Sequence, residues 1–457
     1  LIPQSFKAFD TRVSVRRLSN GMAFVHVPAS GLDDRFFLSC LIRAGSRSEI
    51  ESHSGIAHFL EHMMFRGSKR FPSFGGLAEA FEALGGEWNA ATGQEYTEYI
   101  YSGVQRHAAE AIELFLEFMA QPVFRDIDVE RQIILRELHG ETNEFGVSTD
   151  VAHHISTLVW PGHALARPII GIPETLAAID ENALHAFRSR WYQPENMALC
   201  VVGGTAATAD AAAVKFESYR PAAEFTPAAT DAAAAAPSSS NLPIARVIEN
   251  SDNEYQVQVS FKCKGQWDEE AAVYEVLVRL LSDGFSARLP RRIREQLGLV
   301  YDIAADATLL TDCGLLNITA SVDHENMERF TSELGAIVVQ LTHTPPSAVE
   351  LERYQRRALV DLEMALSEPA SMAFRLGWNE INGKRRRIAD YAGRVMAVTP
   401  EMIRDCAARL FHPSNRAAIA LGPKKGTGSQ TPGEPALSDA DFARMIGGMD
   451  SPAVRPG

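Results

Sequence analysis

The spacing of apolar positions changes several times along the chain, and each change marks an element. Val13–Leu18 and Met22–Val27 are strand-like runs on either side of Asn20-Gly21, a dipeptide that supplies the positive φ angles of a two-residue hairpin turn. Helical spacing takes over at Phe81–Leu84 and Ala108–Met119. It returns across Asp126–Leu138, where Ile127, Ile134 and Leu138 share an apolar face with charges between them. Arg35–Arg43 reads as a strand and Tyr255–Lys264 echoes it, each followed by a helix and a meander. Helices alternating with hairpin-connected strands predict an α+β fold, with helices packed on largely antiparallel sheets.

The echo is part of an internal duplication. Arg190–Ala198 recurs as Arg409–Ala417, an offset of 219, and both copies run into an apolar strand that ends at Gly203 or Gly422. Between the copies lies an Ala/Pro/Ser-rich stretch with little to bury. These features predict two tandem homologous domains, at 1–220 and 244–422, joined by a linker at 221–243 and followed by a low-complexity tail at 423–457. Within the tail, Leu437–Ile446 reads as a short helix, because Ser438 and Asp441 have capping-box spacing with Asp in place of Glu.

Composition narrows the functional classes. A chain of 457 residues exceeds one typical core and predicts two to three domains. No apolar run is long enough to span a bilayer. The net charge of −14 argues against nucleic acid and is compatible with cationic peptides. Five scattered cysteines, Cys40, Cys200, Cys263, Cys313 and Cys406, contain no C-x-x-C pair and read as small core residues. The chain opens on Leu1, which reads as a processed or truncated N-terminus, so a periplasmic location is expected ahead of a cytoplasmic one.

The chemistry concentrates in His58-Phe59-Leu60-Glu61-His62. At about 100° per residue, His58 and His62 lie roughly 40° apart around a helix, with Glu61 roughly 60° to the other side of His58. Two imidazoles can grip one zinc ion while the carboxylate reaches a water on it, in the inverted form of the commoner H-E-x-x-H pattern. Glu130 and Glu137, seven residues apart, fall within roughly 20° of one another on the downstream helix. One of them can close a three-ligand site while the other supports a ligand or water. His153-His154 offers no second metal site, since neighbouring side chains on a helix point about 100° apart.

Together these features resemble the pitrilysin-type zinc peptidases, nearest to the bacterial processing-peptidase-like branch. The resemblance runs through Ser54–Ser68 and through Ile134-Leu135-Arg136-Glu137, where Glu137 follows His62 by 75 residues. It implies one zinc per chain on His58, His62 and Glu137, with Glu61 as general base and Glu130 in support. It also implies a role for Arg294 and Tyr301, seven residues apart in the second half, as a pair that faces the zinc across a closed chamber. An Arg can clamp a carbonyl or carboxylate, and a Tyr hydroxyl can donate to a developing oxyanion. By the same resemblance Asn89, Ala90, Ala91 and Thr92 form an edge strand on which an extended substrate is added.

The offset of 219 puts Leu277 and Leu281 where the first half has its histidines, so the second domain lacks the metal pair. By the same resemblance two such domains make one half of a clamshell, and a homodimer or a heterodimer with a paralogous subunit is expected. The expected function is zinc-dependent endopeptidase activity on unfolded peptides or short polypeptides. The alternatives are a non-catalytic or partner-dependent subunit and a metal-binding regulator. Intact His58, Glu61, His62 and Glu137 disfavour a scaffold role.

Overall fold

The computed structural model of the chain describes residues 3–28, 34–220, 242–425 and 436–450. Most of the linker at 221–243 and parts of the tail lie outside the described residues. The strands are β1 (Ser14–Arg17), β2 (Ala23–Val27), β3 (Arg35–Ile42), β4 (Glu87–Thr92), β5 (Thr97–Val104) and β6 (Met197–Gly203), then β7 (Ile244–Glu249), β8 (Glu254–Lys264), β9 (Val300–Leu309), β10 (Cys313–Asp323) and β11 (Arg416–Gly422). The first six form a sheet in the order β1-β2-β6-β3-β5-β4, and the other five a sheet in the order β7-β11-β8-β10-β9. β2 runs parallel to β6 as β7 does to β11, and the other pairs are antiparallel. The chain therefore has the α+β class and the duplicated sheet expected of it.

Local sequence explains several elements directly. The β1–β2 hairpin pairs Ser14 with His26, and its turn needs Gly21 at φ +93°. The tail helix spans Asp439–Gly448, and Ser438 and Asp441 form the reciprocal cap. Phe81–Leu84 is not a helix of its own. It ends a helix that begins at Phe74 behind the Ser73 cap, where Gly75 and Gly76 obscure the helical pattern.

The chain divides into two compact units. One takes residues within 3–138, 167–220 and 362–390; the other takes 139–166, 242–361 and 391–450. This differs from the tandem division at 1–220 and 244–422, because 139–166 and 362–390 change sides and the tail helix joins the second unit. The physical reason is that each sheet has two apolar faces. In the first unit the inner face packs on helices such as Ala108–Ala120, with Phe24, Leu38, Tyr99 and Leu199 in the core. Its outer face, carrying Val25, Phe37, Cys200 and Val202, is covered by Met372, Ala373 and Leu376 of the helix Pro369–Ile381. In the second unit, Ile155 and Val159 of the helix Val151–Val159 cover Leu315, Ala417 and Ile419. Full burial of each large aliphatic side chain contributes roughly 1.5–3 kcal/mol, which favours covering both faces. Cys40, Cys200, Cys313 and Cys406 are buried and Cys263 is partly so, all as free thiols.

One partly buried carboxylate in the first sheet has a consequence for stability. Glu98 accepts from Ser39 Oγ at 2.6 Å, and burial raises its pKa from the ordinary 4.5 to about 7. The folded state then holds this proton more tightly than the unfolded chain. Its stabilising effect is complete below about pH 4.5 and is lost as pH rises through about 7. Glu98→Gln should therefore leave stability unchanged near pH 4 and raise it at pH 8, by on the order of 3 kcal/mol. Denaturant melts at both pH values measure the difference, and equal differences at the two would contradict the assignment.

Candidate metal centre

His58, Glu61 and His62 lie on the helix Ile56–Met64. Ile56, Ala57, Phe59, Leu60, Met63 and Met64 of that helix are buried, so packing fixes the face on which the polar residues stand. Glu130 and Glu137 lie on the helix Ile127–Gly140, held to the core by Ile134. His58 Nε2 stands 3.8 Å from Glu137 Oε1, and His62 Nε2 stands 3.6 Å from Glu137 Oε2. One ligand atom from each of the three residues falls within 4.8 Å of the others, and this is the only such trio among the described residues.

These atoms converge without closing hydrogen bonds on one another. Tetrahedral zinc with bonds of about 2.0–2.2 Å holds its ligand atoms roughly 3.3 Å apart. The observed gaps are slightly wider than that, and two nitrogens with a carboxylate oxygen are a zinc donor set. The residues present fit the metal.

The surroundings set the protonation of each ligand. His58 is pushed down to about 4 by burial first and by His62 second, so it is a neutral imidazole at physiological pH. For His62, burial is the largest influence and acts downward. The hydrogen bond to Glu130 and the charges of Glu130, Glu61 and Glu137 outweigh it, and the net direction is upward. His62 Nδ1 lies 2.8 Å from Glu130 Oε1, which assigns the Nδ1 proton to that bond and leaves Nε2 facing the centre. The structure thus brings Glu130 against His62 on the ring nitrogen that does not face Glu137.

Arg66 was missed by sequence reasoning. Its Nη1 lies 3.3 Å from Glu130 Oε2 and its Nη2 donates to Asp126 Oδ2 at 3.1 Å. It ties the two helices together behind the ligands. The signal, an Arg one turn beyond the second His, is too common to single out.

Glu61 is raised above the ordinary carboxylate range by burial, with Thr92 and His62 acting against that and Glu137 adding to it. Thr92 Oγ1 donates to Glu61 Oε2 at 2.5 Å. Thr92 therefore touches the Glu61 carboxylate, a contact that sequence reasoning did not assign to it. β4 is the terminal strand of its sheet. Trp88 stacks on Phe81 with ring centroids 4.3 Å apart, and Trp88 and Ala90 pack against the core. Asn89 and Ala91 alternate outward. The β4–β5 turn is pinned by the buried Arg47–Glu95 ion pair at 2.7 Å and by Ser46 N–H donating to Gly93 O. That pin fixes the end of β4 beside the motif helix.

In the second unit, Arg294 lies in a π-helical stretch, Pro290–Gln296, and Tyr301 is the second residue of β9. The guanidinium stands 5.4 Å from the Tyr301 ring centroid and 5.3 Å from that of Phe285. Tyr301 is 83% exposed and Phe285 68%. The sequence named the pair but not Phe285. Leu277 and Leu281, at the positions of the histidines, are buried in the second core.

A family model described as Insulinase (Peptidase family M16) matches residues 34–172, and one described as Peptidase M16 inactive domain matches residues 178–358. This chain belongs to peptidase family M16. The uncharacterized zinc protease YmxG of Bacillus subtilis is 26% identical over 376 residues, covering 81% of this chain and 89% of that one. An uncharacterized zinc protease of Rickettsia bellii is 26% identical over 426 residues, 91% and 98% of the two chains. Among solved structures, a peptidase M16 inactive domain from Pseudomonas fluorescens gives a TM-score of 0.79 at 20% identity, covering 92% and 100%. The first half of the periplasmic protease PqqL from Escherichia coli gives 0.74 at 20% identity, covering 98% of each chain.

In metal-free protein, NMR titration of labelled histidines should find His58 near pH 4 and His62 above the ordinary 6.5. Glu130→Gln should move His62 downward, because it removes a charge and the hydrogen bond that favour the imidazolium. A His62 midpoint unmoved by that change would exclude Glu130 as its support.

Proposed function

We propose that this chain is a zinc-dependent endopeptidase that hydrolyses unfolded peptides or short polypeptides. One zinc per chain is held by His58, His62 and Glu137. The observation that carries the reading is the convergence of these three side chains within 4.8 Å, with Glu61 beside them and hydrogen-bonded to Thr92. Bound zinc supplies Lewis acidity toward the scissile carbonyl and lowers the pKa of water. Glu61 accepts the proton of the attacking water and later hands it to the leaving amine, work suited to a carboxylate of raised pKa. Thr92 holds the Glu61 carboxylate in one orientation through the whole transfer.

The peptide lies extended along the free edge of β4. Ala90 N–H now donates to the Asn89 side-chain oxygen at 2.9 Å, so the Asn89 amide must swing aside for an added strand. Arg294 and Tyr301 then meet the substrate carbonyl, Arg294 as a clamp and Tyr301 as an oxyanion donor. The exposure of Tyr301 supports this role, since a core tyrosine could not reach a ligand. The match to PqqL covers 51% of the full PqqL chain, which supports a second subunit as the other half of a closed chamber, whether a copy of this chain or a paralogue. The periplasm is part of the same proposal, supported by the description of PqqL as a periplasmic protease.

A non-catalytic subunit is the competing reading. It draws support from the fold shared with a chain of complex III2 of Candida albicans, at a TM-score of 0.77 and 15% identity. The complete ligand set weighs against it.

Glu61→Gln decides between them. The variant should keep about one zinc per chain by elemental analysis and lose at least about a hundredfold of peptide turnover. Near wild-type cleavage would contradict the mechanism, and no cleavage by wild type with any partner would favour the non-catalytic reading. Tyr301→Phe should lower turnover about ten- to a thousandfold with zinc content unchanged. Equal rates would make the Arg294/Tyr301 pair structural in this chain.

A further inference from the structure

A buried carboxylate just before the motif helix has no part in the zinc chemistry described above. Glu49 is 5% exposed. Its Oε2 accepts from Gly55 N–H at 2.8 Å and its Oε1 from Ala57 N–H at 2.9 Å. Both oxygens thus close on the start of the Ile56–Met64 helix, where backbone N–H groups have no acceptor within the helix itself.

The usual cap is impossible here. The N-cap residue is Gly55, which has no side chain and sits at φ +94°. A Cβ at that position would lie 2.8 Å from Gly171 Cα and from Ile170 O, so a serine or aspartate cannot take its place without displacing backbone. Glu49 supplies the missing acceptor from six residues upstream. Glu49 is itself anchored, because Arg167 Nη1 donates to its backbone oxygen at 2.8 Å. Thr175 Oγ1 donates to Ser54 O at 2.7 Å. The start of the helix is therefore held from two sides.

We propose that Glu49 is a positioning residue for the metal centre: its carboxylate fixes the first turn of the motif helix so that His58 stands in register with His62 and Glu137. The proposal rests on the zinc reading above. His58 follows Ala57 directly, so its backbone is the first of the ligands to move if that turn frays. His62 has a second restraint in Glu130. His58 Nδ1 is buried without a hydrogen-bond partner among the described residues, so its ring has no hydrogen-bond restraint of the kind Glu130 gives His62.

The test is zinc affinity of the folded protein, by chelator competition, for wild type, Glu49→Gln and the control Glu98→Gln. Metal-free thermal melts run in parallel, and affinities are measured well below each transition. Glutamine keeps the shape of Glu49 but turns an NH2 group toward one of the two N–H donors. Glu49→Gln should weaken zinc binding about tenfold or more, the range seen when a group orienting a ligand is lost, while Glu98→Gln leaves it unchanged. A purely structural role would lower the melting temperature and leave the affinity of the folded fraction intact. That result would overturn the positioning role and leave the zinc site standing. If Glu49→Gln does not fold, Glu49→Asp, which keeps the carboxyl group but is too short to reach both N–H groups, is put through the same comparison with the same two outcomes. Failure of wild type to bind zinc at all would overturn the zinc reading, and this role with it.

Discussion

The centre depends on burying one side of a nine-residue helix while holding ionisable groups on the other. Phe59, Leu60, Met63 and Met64 anchor Ile56–Met64 in the first core, which leaves His58, Glu61 and His62 little choice of direction. The same burial removes water from the two imidazoles and from Glu61. Desolvation keeps His58 neutral and raises Glu61 above the ordinary carboxylate value. Packing and chemistry are therefore one constraint here. A looser helix would both misplace the ligands and let water restore ordinary pKa values.

The duplication shows which parts of this arrangement belong to the scaffold. Ser39 donates to Glu98 between β3 and β5, and at the same offset of 219 Gln258 donates to Asn317 between β8 and β10. Asn415 donates to the carbonyls of Leu410 and Lys262, as Asn196 does to those of Trp191 and Arg43. These contacts tie a helix end to a sheet in each copy. The histidines have no such counterpart, since Leu277 and Leu281 simply fill the second core. Freed from metal binding, the second copy presents Phe285, Arg294 and Tyr301 as an exposed stack instead.

How much of this was legible in the sequence follows from how local each interaction is. The β1–β2 turn, the tail capping box and the two His spaced along one helix are set within about five residues, and the structure has each of them. Glu137 was legible only through its long, family-specific spacing from His62. Arg66, Phe285 and the Thr92–Glu61 bond were not legible, because each joins residues brought together by tertiary packing. Glu49 is the sharpest case. A glycine N-cap gives no capping signal, and the residue that replaces it lies outside the window in which caps are sought. The interleaving of the two units escaped for a different reason. The helices Val151–Val159 and Pro369–Ile381 carry ordinary amphipathic patterns, and periodicity states that a helix has an apolar face without stating which sheet covers it.

β4 raises a further physical question, because a terminal strand is a standing invitation to unwanted pairing. The chain limits that risk in three ways. The strand is short, Glu87 stands exposed at its start, and the Asn89 side chain occupies the Ala90 N–H. An N–H held by its neighbour's amide is satisfied in the free protein yet can be released for little net cost, since an incoming carbonyl replaces one neutral hydrogen bond with another. A fully blocked edge, with a proline or an inward charge, would prevent aggregation and substrate addition alike. On the proposed function, Asn89 resolves that conflict: it closes the edge against chance partners with a bond that a well-placed peptide backbone can exchange.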